Sequence, residues 1–492
     1  MGCVGLLSSV RRDRRFVALI AAAALIAPAA QAAVIITSGA TQNMSCSNGV
    51  CAPTAAKAVL NAGDLETLLA SGNATVTTTG QGVQAHDIDI RSPVTWSSSS
   101  VLTLDARRSL IVDQPVSITG LSGLAVQTGR MFSFGNKGNV TFANLASSFS
   151  IDGAAYTLAG DIKTLASDIA SDPGGDFALA NSYDASGDGT YHASPIGILS
   201  GTFEGLGNTI SNLSIDGPAQ VKGGVLEGLF AEIDTTGTAR NIDVSNANIS
   251  VPANIGVTKV DGGAVLVGLN LGTLQSCVAT GSVVNGKSNK YGPELGGLAS
   301  SNGGTISYSR AAVKVNGIQS LVGGLVGYNG GSISQSSATG DVSGPFAGGL
   351  VGDNPAIVTG SYATGRVRAR DEGGGLIGSN LAGSTVTNSY ATGSVTDGAD
   401  YVGGLIGYNE GTISSSYSTG HINGTTGSLV GGVIGYDGSL SGSLDATYWD
   451  LDTSGITDPS QGAGNIANDP GITGLTTAQF QSGLPAGFEP TV

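Results

Sequence analysis

A repeat of glycine pairs limits what this chain can fold into more than any other feature. The stretch GGLIGYNEGTISSSYSTG at residues 403–420 has close counterparts that begin at Gly323 and Gly374. Successive glycine pairs from Gly296 to Gly431 lie 25 to 29 residues apart. A unit of this length cannot bury its own apolar face, so the units must stack on one another. The repeat therefore predicts an all-β fold, a parallel β-helix (β-solenoid) in which each unit forms one coil.

Composition agrees with short strands and frequent turns. Glycine accounts for 79 of the 492 residues, whereas charged residues make up 12%. Gly, Ser, Thr, Val and Ile together favour extended strands joined by tight turns. A helical or Rossmann-type enzyme is therefore disfavoured. A four-stranded propeller blade would need a longer period, and a leucine-rich repeat would need Leu at fixed positions where this chain has none.

The N-terminus has the pattern of a secretory signal peptide. Four arginines between residues 11 and 15 precede an apolar run from Phe16 to Ala27, and Ala30-Gln31-Ala32 forms a small-x-small cleavage site. The apolar run is too short to span a bilayer. We therefore expect residues 1–32 to be removed on export, the mature chain to have no integral membrane span, and the protein to be secreted or displayed on the cell surface.

The charge balance excludes one class of partner. The formal net charge is -15, and removal of residues 1–32 leaves 17 Lys and Arg against 35 Asp and Glu, which gives about -18. An acidic surface repels nucleic acid and anionic lipid. We expect no nucleic-acid partner.

Cysteine usage fits an oxidising compartment. Cys46 and Cys51 enclose a turn-like Ser-Asn-Gly-Val and could close a small disulfide loop. A metal site is the alternative, but two cysteines without a nearby His make a poor one. We expect the disulfide, and no cofactor or metal.

One column of the aligned repeats predicts a ladder of stacked amides. Asparagine, and finally Asp437, recurs four residues after the Leu or its equivalent in each copy. Asparagine tolerates the left-handed turn conformation, and amides stacked at strand spacing can bond to one another along the axis. The predicted ladder comprises Asn270, Asn302, Asn329, Asn354, Asn380 and Asn409.

A second column predicts which side chains face inward. Most copies of the repeat end in the tripeptide Ala-Thr-Gly or Ser-Thr-Gly. When the copies are aligned on this ending, Cys277 falls in one column with small residues of later copies, namely Ser309, Ser336, Ser361, Ser389 and Ser416. Cys277 is therefore predicted to be a buried small hydrophobe and not a nucleophile. The next position faces outward and carries Tyr362, Tyr390 and Tyr417, a candidate exposed contact stripe. Packing between coils is the alternative explanation of these tyrosines.

Two stretches predict short helices. Residues 64–69 and 161–169 have apolar residues at helical spacing, with Asp64 and Asp161 as the predicted N-caps. One of these helices could cover an open end of the solenoid, where unpaired strand edges would otherwise invite association.

The chain divides into four parts after the signal peptide. Residues 33–74 form an N-terminal segment with the disulfide loop and a short helix. Residues 75–200 form irregular coils with an inserted helix at about 161–171. Residues 201–447 form the regular β-helix, and residues 448–492 a C-terminal segment.

Paired carboxylates are the candidates for catalysis, because β-helical polysaccharide lyases and hydrolases use clustered acids. Asp87 and Asp89, and Asp450 and Asp452, stand at i, i+2 spacing and would share a strand face. We expect no Lys, Arg or His side chain to lie beside them in the fold, and therefore solvent-exposed acids that keep the protein soluble.

Metal chemistry has little support in the sequence. His86, His192 and His421 lie far apart. Asp184 and Asp188 resemble the first half of a calcium loop, but Pro195 stands where the closing Glu is needed. A polar turn is the favoured interpretation, and weak calcium binding at these two residues stays open.

The repeats GGLVGYNGGSISQSSATGDVSG and the segment YWDLDTSG at residues 448–455 resemble the GLUG-motif repeats of bacterial filamentous haemagglutinin-like exoproteins. That resemblance implies a right-handed β-helix, secreted or displayed on the surface, with adhesion as its usual role. We therefore expect a non-enzymatic adhesin-like rod whose partners are cell-surface glycans or proteins. The alternatives are a carbohydrate-active β-helix enzyme and a purely structural matrix exoprotein, and the oligomeric state stays unassigned.

Overall fold

The computed structural model describes residues 32–217, 225–251, 262–286, 292–398, 400–440, 442–483, 485 and 487. The predicted signal peptide lies outside these residues, apart from Ala32. Strands of successive coils pair in parallel along almost the whole described chain. The fold is therefore a parallel β-helix with a few short helices, which confirms the fold that the repeat predicts.

The N-terminal coils form three sheets. The first contains the strands Ala33–Thr37, Lys57–Asn61, Asp87–Ile90, Ser109–Val112 and Met131–Phe134. The second contains Met44–Ser47, Val50–Pro53, Ala74–Thr77, Val101–Ala106, Gly123–Thr128, Ser148–Ile151 and Ala154–Ala155. The third contains Val94–Trp96, Val116–Ile118 and Val140–Phe142, and a small hairpin joins Thr79–Gly80 to Val83–Gln84.

The solenoid begins earlier than the sequence predicts. Ala33–Thr37 pairs in parallel with both Lys57–Asn61 and Asp87–Ile90, so residues 33–74 already form coils. Their strands are four or five residues long, too short for an alternation of apolar and polar residues to be recognised in the sequence. Cys46 and Cys51 lie directly opposite each other in a hairpin and form the disulfide.

The later coils form two long sheets. One contains Ile196–Leu199, Phe230–Ile233, Val267–Asn270, Ala299–Asn302, Val326–Asn329, Val351–Asn354, Ile377–Asn380, Ile406–Asn409 and Ile434–Asp437. The other contains Thr157–Ala159, Asp176–Leu179, Tyr183–Asp184, Thr202–Glu204, Thr209–Ser211, Ser214–Asp216, Leu226–Glu227, Thr238–Arg240, Asp243–Val251, Gly262–Gly263, Thr273–Gln275, Val278–Asn285, Glu294–Gly296, Thr305–Ser307, Arg310–Asn316, Leu321–Gly323, Ser332–Ser334, Ser337–Ala338, Val342–Gly348, Ile357–Thr359, Tyr362–Ala363, Val367–Gly374, Thr385–Thr387, Tyr390–Ala391, Val395–Asp397, Tyr401–Gly403, Thr412–Ser418, Ile422–Gly424, Leu429–Gly431, Leu444–Asp450 and Ile472–Leu475.

The strand Leu444–Asp450 runs through the boundary at residue 448 that the sequence predicts. It pairs in parallel with Thr412–Ser418 on one side and with Ile472–Leu475 on the other. Trp449 of this strand is fully buried. The C-terminal segment therefore continues the β-helix.

Two apolar cores lie one after the other along the chain. The first is built mainly from residues between Val34 and Leu158, and the second from residues between Ala159 and Ala463. At their junction, the fully buried Glu204 accepts a 2.7 Å hydrogen bond from Nε of Arg240. Asn241 donates to the other carboxylate oxygen of Glu204 and to the carbonyl of Phe132. Polar contacts thus hold the two cores together.

Three α-helices and one 3₁₀ turn interrupt the strands in the described residues. Helix α1 (Ala62–Ser71) packs beside Val94–Trp96, and helix α2 (Ile162–Ser171) beside Ile196–Leu199. Each of those strands is the edge of its sheet, so both helices cover edges that would otherwise be open. The 3₁₀ turn spans Ala185–Asp188, and helix α3 covers Thr477–Ser482.

The predicted N-caps are half right. Asp161 caps α2, since its carboxylate accepts from the backbone N–H of Thr164 at 2.7 Å. Helix α1 begins earlier than predicted, and Asn61 caps it in place of Asp64. The preceding strand ends at Asn61, so strand and helix leave no loop that the sequence could reveal.

The asparagines form one continuous buried ladder. Nδ2 of Asn329 donates to Oδ1 of Asn354 at 2.7 Å, and Nδ2 of Asn354 donates to Oδ1 of Asn380 at 2.8 Å. The same bond, at 2.7 to 2.8 Å, links every pair of neighbouring members from Asn270 to Asp437. The asparagines are all fully buried, so the ladder is part of the core.

The left-handed backbone lies elsewhere in the coil, contrary to the turn argument from sequence. No ladder asparagine has a positive φ. One residue per coil does, with φ from 46° to 57°, directly before the small column, namely Ser276, Tyr308, Gln335, Gly360, Asn388, Ser415 and Ala446. These positions mark a tight corner in each coil.

The small column satisfies the backbone at that corner. The N–H of Ser309 donates to Oγ of Ser336 at 3.1 Å, and this hydroxyl donates to the carbonyl of Ser334 at 2.8 Å. Equivalent bonds from the column N–H to the next serine, at 3.1 to 3.2 Å, run from Cys277 to Ser416. We call this set of contacts the serine ladder.

Cys277 begins the serine ladder. It is fully buried, and its thiol donates to the carbonyl of Ala239 at 3.4 Å. Burial raises the pKa of the thiol to about 12. The structure thus places Cys277 in the core, as the column predicts.

Substitution of one ladder asparagine should destabilise the whole rod. Asn354→Ala leaves one amide donor and one acceptor unpaired in the core, so we expect the free energy of unfolding to fall by about 2–4 kcal/mol. Denaturant unfolding followed by circular dichroism measures it. Asn423→Ala, at an exposed position, is the control. Equal stability of the two variants would contradict a structural role for the ladder.

Cys277 should resist thiol reagents in the folded protein. Because its pKa is raised, the reactive thiolate stays scarce up to and beyond pH 9. We expect no labelling by an aromatic disulfide reagent at pH 8, and one equivalent after unfolding in denaturant. Labelling of the native protein at the rate of an exposed thiol would show that this corner opens.

Candidate binding face

One strand of each regular coil presents an outward face. In Arg310–Asn316 exposed and buried residues alternate, so Arg310, Ala312, Lys314 and Asn316 point to solvent. Val313 and Val315 point into the core. The alternation follows from the two-residue period of a strand. The same face continues on later coils through parallel pairing.

The predicted tyrosine stripe lies on this face but is half-buried. Ring centroids of Tyr362 and Tyr390 lie 4.9 Å apart with planes inclined by 3°, and those of Tyr390 and Tyr417 lie 5.0 Å apart with planes inclined by 5°. Phe480 of α3 packs against Tyr417 at 5.7 Å. Tyr448 extends the column by one coil.

This geometry corrects the prediction of an exposed stripe. The faces of the inner rings are covered by neighbouring rings, so a sugar could not stack on them. Burial also raises the pKa of Tyr417 to about 12. Packing between coils, the alternative that the sequence left open, explains the three tyrosines.

Beside the stripe lies a cluster of cations that sequence reasoning missed. We call it the cationic face, and it comprises Arg310, Lys314, Arg366, Arg368 and Arg370. All five side chains are exposed, and within the described ranges none forms an ion pair with an acidic residue. They are also every Lys and Arg between residues 292 and 492. The restriction of Lys and Arg to a few positions in this part of the chain was the signal by which the sequence could have revealed the cationic face.

A groove of about 180 Å³ runs through the cationic face. Its polar lining comes from three successive coils and comprises Lys314, Asn316, Asp341, Ser343, Arg366 and Arg368. A carboxylate oxygen of Asp341 accepts a 3.1 Å hydrogen bond from the backbone N–H of Arg366. The groove thus combines three cationic side chains, one acid and two neutral hydrogen-bonding groups.

A second row of polar side chains follows the strands that carry the asparagine ladder. Parallel register stacks Tyr328, Asp353, Ser379 and Tyr408 on successive coils. The hydroxyl of Ser379 donates to the carboxylate of Glu372 on an adjacent strand. We call Asp353 and Glu372 the acid pair.

Burial changes the acidity of the acid pair. It raises the pKa of Asp353 to about 6, and Oδ1 of Asp353 has no hydrogen-bond partner among the described residues. Burial also raises the pKa of Glu372, and the charge of Asp353 adds to this shift. With a pKa near 6, Asp353 can exchange a proton in weakly acidic solution.

The acids that the sequence singled out are placed differently. Asp87 forms an ion pair with Arg108, and Asp89 with Arg91, which contradicts the prediction of acids without a nearby cation. Arg108 comes from the neighbouring coil, which is why sequence spacing missed it. Both aspartates are buried, so they are not surface acids that keep the protein soluble.

Asp450 is also buried, at 3% exposure. It accepts hydrogen bonds from the backbone N–H of Asp452 and from the hydroxyl of Thr477, and a carboxylate oxygen of Asp452 accepts from the backbone N–H of Thr477. These two aspartates therefore hold the start of α3 against the last coils. Asp450 and Asp452 therefore have a structural role.

The acidic turn at Asp184 and Asp188 is occupied by protein partners. Asp188 accepts from the hydroxyls of Tyr183 and Tyr191 at 2.8 and 2.7 Å, and Nζ of Lys163 lies 3.0 Å from it. Asp184 accepts from the side chain of Asn212. No group of metal-binding side chains is found in the part of the chain that the structure describes.

Among the described helices, none is long and apolar enough to cross a membrane.

Three stretches of the chain, residues 319–343, 373–396 and 398–423, match the GLUG motif. This match confirms the GLUG repeats of the sequence analysis. The likeness to filamentous haemagglutinin-like exoproteins stays a prediction.

Two relatives share part of the sequence. The chain is 44% identical over 85 residues to a protein of Evansella cellulosilytica named "Putative Gly-rich membrane protein". The aligned region covers 16% of this chain and 10% of the relative. It is also 34% identical over 98 residues to halomucin of Haloquadratum walsbyi, and this aligned region covers 20% of the chain and 1% of the relative. The chain thus spans a tenth or less of the length of either relative.

A solved structure described as a "putative immunoglobulin A1 protease" from Bacteroides ovatus is 18% identical, with a TM-score of 0.34 over 51% of this chain and 77% of that chain.

The cationic face lies outside the three matching stretches. Arg310 and Lys314 precede the first matching stretch, and Arg366, Arg368 and Arg370 lie between the first two. The residues that stack the coils belong to the repeat, whereas these cations do not. They are therefore the best candidates for a function beyond stacking.

The packing role of the tyrosine stripe can be tested by truncating its central member. Tyr390→Ala removes ring contacts on both sides, so we expect the free energy of unfolding to fall by roughly 2–4 kcal/mol. Tyr308→Ala, at a tyrosine that is 49% exposed, is the control and should have the smaller effect. Thermal unfolding of both variants measures the difference. A stable Tyr390→Ala variant would favour a contact role instead.

Proposed function

We propose that this protein is an exported, adhesin-like β-helical rod that mediates attachment at a cell surface or matrix and has no enzymatic activity. The observation that carries the proposal is the cationic face, an exposed set of side chains without ion-pair partners in the described residues. A rigid rod holds such side chains in fixed positions, and several displayed copies would add their weak contacts through avidity.

Several independent features support export and surface display. The N-terminal 32 residues have the order of a signal peptide. The disulfide between Cys46 and Cys51 fits an oxidising compartment. The names of the two relatives, a Gly-rich membrane protein and halomucin, are consistent with a surface location.

A second candidate function is that of a carbohydrate-active enzyme. The acid pair favours it, because two carboxyl groups with raised pKa values stand beside tyrosines on one face of a β-helix. A partly protonated Asp353 could act as the acid and an ionised partner as the base. A purely structural matrix protein is the third candidate, for which the stacked cores alone would suffice.

One experiment separates the three candidates. Purified protein is offered a panel of polysaccharides, and both retention and the release of reducing or unsaturated ends are measured. We expect binding without product, since the acid pair is only half exposed and the cations lie elsewhere. Product formation that is lost in Asp353→Asn or Glu372→Gln would establish the enzyme. If the protein neither binds to polysaccharides, cells or matrix nor releases product from them, the purely structural role is the candidate that remains.

A further inference from the structure

We propose that the cationic face binds an anionic polysaccharide, one that carries carboxylate or sulfate groups. This inference rests on the proposed attachment function and names the chemistry of its partner. The contact is made through Arg366, Arg368 and Lys314, which line the groove.

The arrangement of the cations fits an extended polymer. Arg368 and Arg370 lie on the strand Val367–Gly374, and Arg366 directly precedes it, so the Cα atoms of these three alternate residues span roughly 13 Å. Lys314 lies two coils away, at about 10 Å, since neighbouring strands are about 4.8 Å apart. A single small anion could contact only part of this area. A chain molecule with several acidic groups could contact all of it.

The side chains have the chemistry that sugar acids require. The guanidinium of arginine presents paired N–H donors that match a carboxylate or sulfate in bidentate geometry. Three of the five cations are arginines on consecutive outward positions. Asn316 and Ser343 lie between the cation-bearing positions and can donate to or accept from sugar hydroxyls. Exposed threonines such as Thr339 and Thr364 continue the polar surface.

The surroundings select against more densely charged polyanions. Asp341 stands between Lys314 and Arg366, and its carboxylate repels a closely spaced row of negative charges. Beyond Arg370 the chain carries twelve Asp and Glu and no Lys or Arg. Nucleic acid, with one charge per 1.7 Å of duplex, would meet this repulsion along its length. A polysaccharide carries its acidic groups further apart along the chain than duplex DNA does, and it would meet less of this repulsion.

Charge reversal on the face tests the proposal. The variant carries Arg366→Glu and Arg368→Glu, and the matched control carries Arg130→Glu and Lys137→Glu, which change the net charge equally at exposed positions in the N-terminal coils. Binding to heparin, polygalacturonate and neutral dextran is measured at low and at high salt. Circular dichroism and thermal unfolding verify that both variants are folded.

We expect the unchanged protein to bind heparin or polygalacturonate but not dextran, with affinity that falls as salt rises. The face variant should lose about tenfold or more in affinity, while the control stays within about twofold. Binding to heparin alone would identify sulfate as the recognised group, and binding to polygalacturonate alone would identify carboxylate.

Three results would overturn the inference. These are binding to neither acidic polymer, equal losses in the two variants, and tighter binding to duplex DNA or to anionic phospholipid vesicles than to either polymer. Attachment to whole cells is measured in parallel. If the face variant attaches to cells as well as the unchanged protein does, the inference fails while the attachment function stands. If the unchanged protein attaches to no cell, matrix or polysaccharide, the attachment function itself fails.

Discussion

Each coil of this solenoid has polar groups at its corners that only the next coil can satisfy. From Cys277 to Ser389, the N–H after the left-handed residue is paired with a serine hydroxyl one coil further on, and each amide of the asparagine ladder is paired with the next member of the ladder. Such bonds add little net stability each, but leaving the groups unpaired in an apolar core is costly. Stacking of like residues is therefore a requirement of the fold, which explains why the repeat is kept so closely in the inner columns.

The same requirement leaves the outer columns free. A position that points to solvent, such as Arg310 or Arg366, takes no part in the two ladders. Its side chain can change from coil to coil without disturbing the core. The cations also lie outside the three stretches that match the GLUG motif, so the packing residues and the cations occupy different positions of the same coils.

Features that recur at a constant position in every copy of the repeat could be predicted from the sequence. The asparagine ladder and the buried Cys277 follow from such offsets. The left-handed corner does not, because Ser276, Tyr308 and Gly360 share no side-chain property that marks it. The cationic face was signalled only by the uneven distribution of Lys and Arg, and its arrangement depends on the register between strands of successive coils. The acid pair lies on strands of two different sheets, and the spacing of its residues in the sequence gives no direct signal. The coils within residues 33–74 were missed because their strands are only four or five residues long.

The asparagine ladder has a direction. Every Nδ2 donates toward the C-terminus, and the last acceptor is a carboxyl oxygen of Asp437, a side chain that has no N–H donor. At the other end, Oδ1 of Asn270 is buried without a partner among the described residues. The direction is also held locally, because Nδ2 of Asn354 donates to the backbone carbonyl of Ala356 at 3.2 Å, and Asn270, Asn302 and Asn409 make the equivalent bond at 3.4 Å. These carbonyls and the carboxyl group at one end together fix the orientational order of six side chains across the length of the regular coils, and aligned amide dipoles give the rod an electrical polarity along its axis.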